Sequence, residues 1–455
     1  MGYSRPQALN FRGVQVYALI DGRASLSGRV RVSGAKNSAT RLLAAALLSD
    51  ERVELSNFPT HLVDVGHKIA FSRRTGADFE VDHEAQTLSV DASQVASQEL
   101  TRDEFDVPIR TTYLLAAAQV ARSGSARIPY PGGCAIGGGP AGGRGYDLHL
   151  MVWRDLGATV VERFDHIEVT APGGFTGGTI SFPITTVGGT ENALLCASIA
   201  KGRTEVYNAY ITPEVHDLIE MLRRMGADIS VYGTSHIVVE GRGATLAGAH
   251  MDVMPDRIEA LTWIVLATLK QSDLTIEGVP FDSMKVPLLH IEQAGIDLFR
   301  NSTAVHVTPE CLTSGQVQPF ELACGAHPGV ISDMQAFYVL LGLVGAGTSR
   351  VYDYRYPDRI AFVRELAKLV DGDHLSAESG KITIHGPARM SPGIANSTDL
   401  RGSMAVVIAA LCADGESVIQ NVHMALRGYN DLEGKLRQLG ASIDVHEGDF
   451  PDRDA

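Results

Sequence analysis

The chain has 455 residues, too many for one hydrophobic core of ordinary size, and two domains are the expectation from length. Its composition, 45% hydrophobic and 20% charged, is that of a globular protein, and no apolar run approaches the ~18 residues of a membrane span. The net charge of −14 opposes binding to nucleic acid or to an anionic membrane, so any anionic ligand must meet a local cluster of arginines and lysines.

The start of the chain has no basic leader followed by an apolar core, which predicts a cytoplasmic protein. Five cysteines (Cys134, Cys196, Cys311, Cys324, Cys412) are an odd number without a CxxC pair or a Cys/His cluster, and predict neither disulfides nor structural zinc. The first fifteen or so residues and the tail from Glu447 lack apolar periodicity and read as mobile ends.

From the N-terminus, a strand over 28–33 runs through Gly34-Ala35-Lys36-Asn37-Ser38 into an apolar helix over 39–48. A lysine at such a turn can join its charge to the helix dipole and hold an anion, although a solvated surface lysine fits the same pattern. A signature that recurs six times follows: a short β-branched strand, a turn, an amphipathic helix with a polar last turn, a glycine and another strand. The strands are 53–57, 126–130, 204–208, 274–278, 349–353 and 417–421, and the glycines are Gly76, Gly157, Gly226, Gly295, Gly372 and Gly440. Glycine there suits the left-handed residue that closes a helix. A unit recurring at about seventy residues cannot bury its own apolar face. Six units grouped three and three predict two similar α/β domains with helices packed inside against sheets.

Between the second strand and its helix lies Pro131-Gly132-Gly133-Cys134-Ala135-Ile136-Gly137, continuing to Arg144-Gly145-Tyr146-Asp147-Leu148-His149. Eight of the fourteen residues 132–145 are glycine, so the segment reads as a mobile flap presenting Cys134 and Arg144. No Gly-Lys-Ser/Thr follows, which excludes a Walker loop. A thiol in an exposed, Arg-flanked loop is a candidate acid, base or nucleophile, whereas Cys196 and Cys412 lie in apolar helices and read as core. Farther on, His327-Pro328-Gly329-Val330-Ile331-Ser332-Asp333-Met334-Gln335 opens a helix with a carboxylate, which by itself also fits an ordinary cap. Thr398-Asp399-Leu400-Arg401 and Arg427-Gly428-Tyr429 put an acid and two guanidiniums at the starts of two successive helices, a pattern that surface ion pairs share.

Taken together, these constellations resemble the UDP-N-acetylglucosamine enolpyruvyl transferase family and, less closely, the 3-phosphoshikimate enolpyruvyl transferases, from about Leu26 to Ala441. The resemblance implies an inside-out α/β barrel fold of two threefold domains. One would span 36–254, and the other would join 1–35 to 255–455. It also implies a reaction without metal or organic cofactor, in which an acceptor hydroxyl adds to C2 of phosphoenolpyruvate, C3 is protonated and phosphate leaves. Such chemistry needs an acid, a base and cations for two anionic groups. Carried over by motif, Cys134 is the acid, Asp333 the base and Asp399 a second carboxylate. Arg401 and Arg427 hold the phosphoenolpyruvate carboxylate, while Lys36, also counted as catalytic, and Arg144 hold its phosphate. Asn37, Arg110, Tyr146, Asp147, Leu148, Thr186, Val187, Gly188 and Asp333 fall on acceptor positions. Because Cys134 and Asp333 belong to different halves of the chain, domain closure over the substrates is expected.

The departures from the family lie on the acceptor side. The Cys134 loop is about five residues longer before Arg144, and the usual Arg-Pro-Val-Asp-Leu reads Arg144-Gly145-Tyr146-Asp147-Leu148. The family's diphosphate lysine is Ile184, and Arg355 occupies a position that is usually apolar. These changes resemble the UMP enolpyruvyl transferases of peptidyl-nucleoside antibiotic pathways, which implies UMP as acceptor through its 3′-hydroxyl. UDP-N-acetylglucosamine is the alternative. An inactive nucleotide-binding paralogue would be expected to lose the acid, the base or an arginine, and all are present. The expected partners are phosphoenolpyruvate and a uridine nucleotide, for a monomer or weak homo-oligomer.

Overall fold

The computed structural model describes residues 15–97, 110–130 and 145–448, and the expectation of mobile ends therefore falls largely outside the described residues. The described chain separates into two compact units, one of 34–97, 110–130 and 145–254, the other of 15–33 and 255–448. Among the described residues no helix is long and apolar enough to cross a membrane.

Each unit is built from three copies of one motif. In the third copy a strand Thr179–Ser181 leads into the helix Val187–Ile199, then the strand Lys201–Tyr207, the helix Pro213–Arg224 and a hairpin of Asp228–Tyr232 with His236–Arg242. The first two strands pair in parallel, and the hairpin's second strand joins them antiparallel, so its first strand lies at the edge. Six sheets follow this plan, five with four strands and one, Ser125–Pro129 with His166–Thr170 and Thr159–Glu162, with three among the described residues.

The period is visible in backbone geometry. All six glycines named from the sequence have positive φ, between +80° and +98°. At five of them, Gly372 being the exception, the glycine N–H bonds three residues back and the next N–H five residues back, closing the helix carbonyls as a Schellman turn does. Gly372 comes later because its helix, Ala361–Ala367, ends five residues before it. A second periodic device was not read from the sequence. Asn57, Asn208 and Asn421 end their strands at φ between +48° and +57°, and each side-chain amide donates across to the neighbouring parallel strand's end.

Some of the helices that begin a copy are enclosed almost all round. Gln335–Leu343 is buried at all nine positions, and Leu400–Cys412 at eleven of thirteen. Helices so fully buried need cover on every side, and sheets alternating buried with more exposed residues supply part of it.

Candidate functional site

In the first unit, Lys36 is the first residue of the helix Lys36–Ala46, as the turn predicted, and its ammonium lies 2.8 Å from the Asp64 carboxylate. Asn37 follows, and Arg110 opens the 3-10 helix Arg110–Leu115. Tyr146 precedes the helix Asp147–Asp155, and its hydroxyl donates to Glu162 at 2.9 Å, a bond that with burial pushes its ionisation up to about 12. Asp147 is exposed at the positive end of that helix, and Leu148 packs against the core. Thr186 caps the helix Val187–Ile199 by accepting from Gly189 N at 3.2 Å. Gly188 sits against the His149 ring, where a Cβ would stand only 3.2 Å away. Ile184, in the turn before this helix, is 59% exposed. Cys134 and Arg144 lie outside the described residues.

Beneath Lys36 is a buried polar cluster. Lys68, fully enclosed on the helix Val63–Arg74, donates to the carbonyl of Thr40, and burial, with Arg41 nearby, pushes its ammonium well below the usual lysine range. Arg41 pairs with Glu191 at 2.8 Å. Ser38 donates to the buried Asp217, which also accepts from Met254 N at 3.2 Å, and burial raises that carboxyl to about 6.

In the second unit, sequence-distant acids meet on one guanidinium. Asp333 lies in the 3-10 turn Ser332–Met334 leading into the helix Gln335–Leu343, and Asp399 caps the helix Leu400–Cys412 by accepting from Arg401 N at 3.2 Å. Arg359 reaches Asp333 through Nη1 at 2.6 Å and Asp399 through Nη2 at 2.7 Å. The two carboxylates differ in access, since Asp399 is 7% exposed and Asp333 26%. Asp333 Oδ2 also faces Arg401 Nε at 3.8 Å, and that buried Nε makes no hydrogen bond among the described residues. Arg401 otherwise donates to Gly428 O at 3.3 Å and lies 5.2 Å over the Tyr429 ring.

One finding differs from the sequence reading and two add to it. Arg427 stands at the end of the short helix His423–Leu426, because that turn forms before Gly428, and not at a helix start. Arg359 went unremarked, although it closes the same Asp-Tyr-Arg-Tyr-Pro-Asp-Arg stretch as Arg355. Arg355 itself is exposed, with its guanidinium 6.0 Å over the Tyr356 ring.

Within the second unit, two carboxylates and two buried guanidiniums side by side suit proton transfer on an anionic substrate. Residues 20–436 match the family model of EPSP synthase (3-phosphoshikimate 1-carboxyvinyltransferase), and the chain belongs to that family of enolpyruvyl transferases. It is 35% identical over 437 residues to UDP-N-acetylglucosamine 1-carboxyvinyltransferase from Beijerinckia indica, covering 94% of this chain and 98% of that one. The corresponding protein of Methylocella silvestris is 36% identical, with 94% and 99% covered. Among solved structures, the enolpyruvyl transferase NikO from Streptomyces tendae superposes with a TM-score of 0.84 at 27% identity, over 96% of this chain and all of NikO. EPSP synthase from Acinetobacter baumannii, at 17% identity and a TM-score of 0.71 over 95% of this chain and all of that one, shares the fold.

Proposed function

We propose that the protein transfers the enolpyruvyl group of phosphoenolpyruvate to the 3′-hydroxyl of UMP. Asp333 takes the proton of the hydroxyl as its oxygen bonds to C2, and Cys134 delivers a proton to C3. The tetrahedral adduct then expels phosphate while C3 loses a proton, which restores the double bond. Asp333 suits the base because Arg359 engages its Oδ1, while the side chain stays partly exposed. Asp399 acts as a second carboxylate, already engaged as a cap and by Arg359. Arg401 and Arg427 bind the carboxylate of phosphoenolpyruvate, with Lys36 and Arg144 on its phosphate. Asn37, Arg110, Tyr146, Asp147, Leu148, Thr186, Val187, Gly188 and Arg355 serve the acceptor.

The observation that carries the choice of acceptor is the exposed Ile184 at the position of the family's diphosphate lysine, since an isoleucine can neither pair with nor hydrogen-bond to a phosphate oxygen. Arg355 would hold a phosphate where the sugar of a UDP-sugar would go, attracting one ligand and excluding the other. The sequence relatives favour a second reading, UDP-N-acetylglucosamine as acceptor. A phosphate-release assay with phosphoenolpyruvate against UMP, UDP-N-acetylglucosamine and shikimate 3-phosphate decides. Turnover is expected with UMP and little with the sugar nucleotide, whose use should partly return in an Ile184→Lys, Arg355→Val variant. Efficient use of UDP-N-acetylglucosamine with none of UMP overturns the proposal.

A further inference from the structure

We infer that Arg41 is a specificity residue that grips the phosphate of the nucleotide acceptor, an inference that rests on the uridine-nucleotide reading above. Arg41 follows Asn37 by four residues on the helix Lys36–Ala46, so the two share a face. Its guanidinium is held on two sides, through Nε to Glu191 Oε2 at 2.8 Å and through Nη1 to Thr40 Oγ1 at 2.9 Å. Nη2 has no hydrogen-bond partner among the described residues, and the side chain as a whole is 13% exposed. Glu191 belongs to the helix Val187–Ile199, whose cap and first turn are Thr186, Val187 and Gly188. One guanidinium is thus fixed between two elements that carry half of the acceptor positions of this unit.

The exposures give the orientation. Glu191 is 1% exposed and Arg41 13%, so the carboxylate is the deeper partner and the guanidinium the more accessible one. An arginine held in this way is pre-organised for a tetrahedral anion. A guanidinium on this face, with the uncharged Ile184 in the turn that leads into the same helix, suits the phosphate of a nucleoside monophosphate.

The test is calorimetric titration of UMP and of uridine into the full-length protein and its Arg41→Gln and Arg41→Lys variants. Arg41→Gln is expected to weaken UMP about 10- to 100-fold, as loss of a charged hydrogen-bonding partner does, and to leave uridine unchanged. Arg41→Lys should recover part of the loss. Removing Arg41 leaves Glu191 buried without its counter-charge, so an Arg41→Gln, Glu191→Gln variant, neutral and still hydrogen-bonded, guards against unfolding and should show the same selective loss. Equal weakening of UMP and uridine would mark a structural ion pair and overturn the inference, as would unaltered UMP binding or no UMP binding by the unmodified protein. Arg41-dependent UMP binding without UMP turnover would sustain the inference and defeat the proposed reaction.

Discussion

Arg359 holds Asp333 and Asp399 with one bond to each and is itself almost wholly enclosed, so its removal strands two carboxylates, one of them buried. Arg359→Met is expected to cost about 3–5 kcal/mol of stability in thermal or denaturant unfolding, and Arg359→Lys, which keeps the charge without the fork, less. Asp333→Asn should abolish transfer while leaving the fold and ligand binding intact, which turnover and titration of the same sample can check. Cys134→Ala should lower turnover by about 10²- to 10⁴-fold. An epoxide phosphonate resembling phosphoenolpyruvate should label Cys134 and spare Cys196 and Cys412. Burial pushes the Cys412 thiol up to about 12 and that of Cys196 higher still, so neither offers thiolate. Peptide mapping after labelling would show the modified residue, and a fully active Cys134→Ala protein would remove that thiol from the mechanism.

At the scale of single elements, the helix-closing glycines carry a definite energetic claim. Gly226 has φ +91° and the hydrogen bonds of a Schellman turn, so Gly226→Ala should destabilise by about 1 kcal/mol, with Arg242 shifting to admit the methyl group. The buried Asp217, which joins the helix Pro213–Arg224 to Ser38 and Met254, makes stability depend on pH. Its folded pKa of about 6 exceeds the ordinary carboxylate value of about 3.9, so the folded state binds the proton more tightly. That contribution is complete below pH 4 and is lost as pH rises through 6. Asp217→Asn should flatten the stability profile over this window by roughly 1–3 kcal/mol, measured by denaturant unfolding at a series of pH values. An unchanged profile would mean that folding does not raise the pKa of this carboxyl.

Across the whole molecule, the second unit is discontinuous in sequence. The strand Val16–Asp21 lies between Glu416–Gln420 and Ser442–Glu447, and Ser27–Arg31 pairs with Asp273–Glu277, so residues before 34 complete two sheets of the 255–448 unit. The first unit has no such debt, because His250–Asp252 pairs with Val53–Ser56 from its own span. A fragment of 34–254 is therefore expected to fold cooperatively by circular dichroism, whereas 255–455 without the N-terminal strands should not. Cooperative folding of the latter would show that its central strand is dispensable.

The sixfold period was legible because glycine at positive φ is a local requirement, set by the absence of a Cβ and independent of what the helix packs against. Local turn chemistry likewise marked Lys36, Asp333 and Asp399 at helix starts, where a single residue's charge or cap is visible in its own neighbourhood. Arg359 and Arg41 could not be read in this way, since each takes its meaning from partners brought close only by packing: Asp333 and Asp399 for one, Glu191 for the other. The sequence by itself determined the repeated unit, the helix ends and the residue types available for chemistry, all of which depend on contacts within a few positions along the chain. Only the tertiary structure decided which of two arginines in one short segment is enclosed between carboxylates and which meets water, because burial and ion pairing are set by elements distant in sequence.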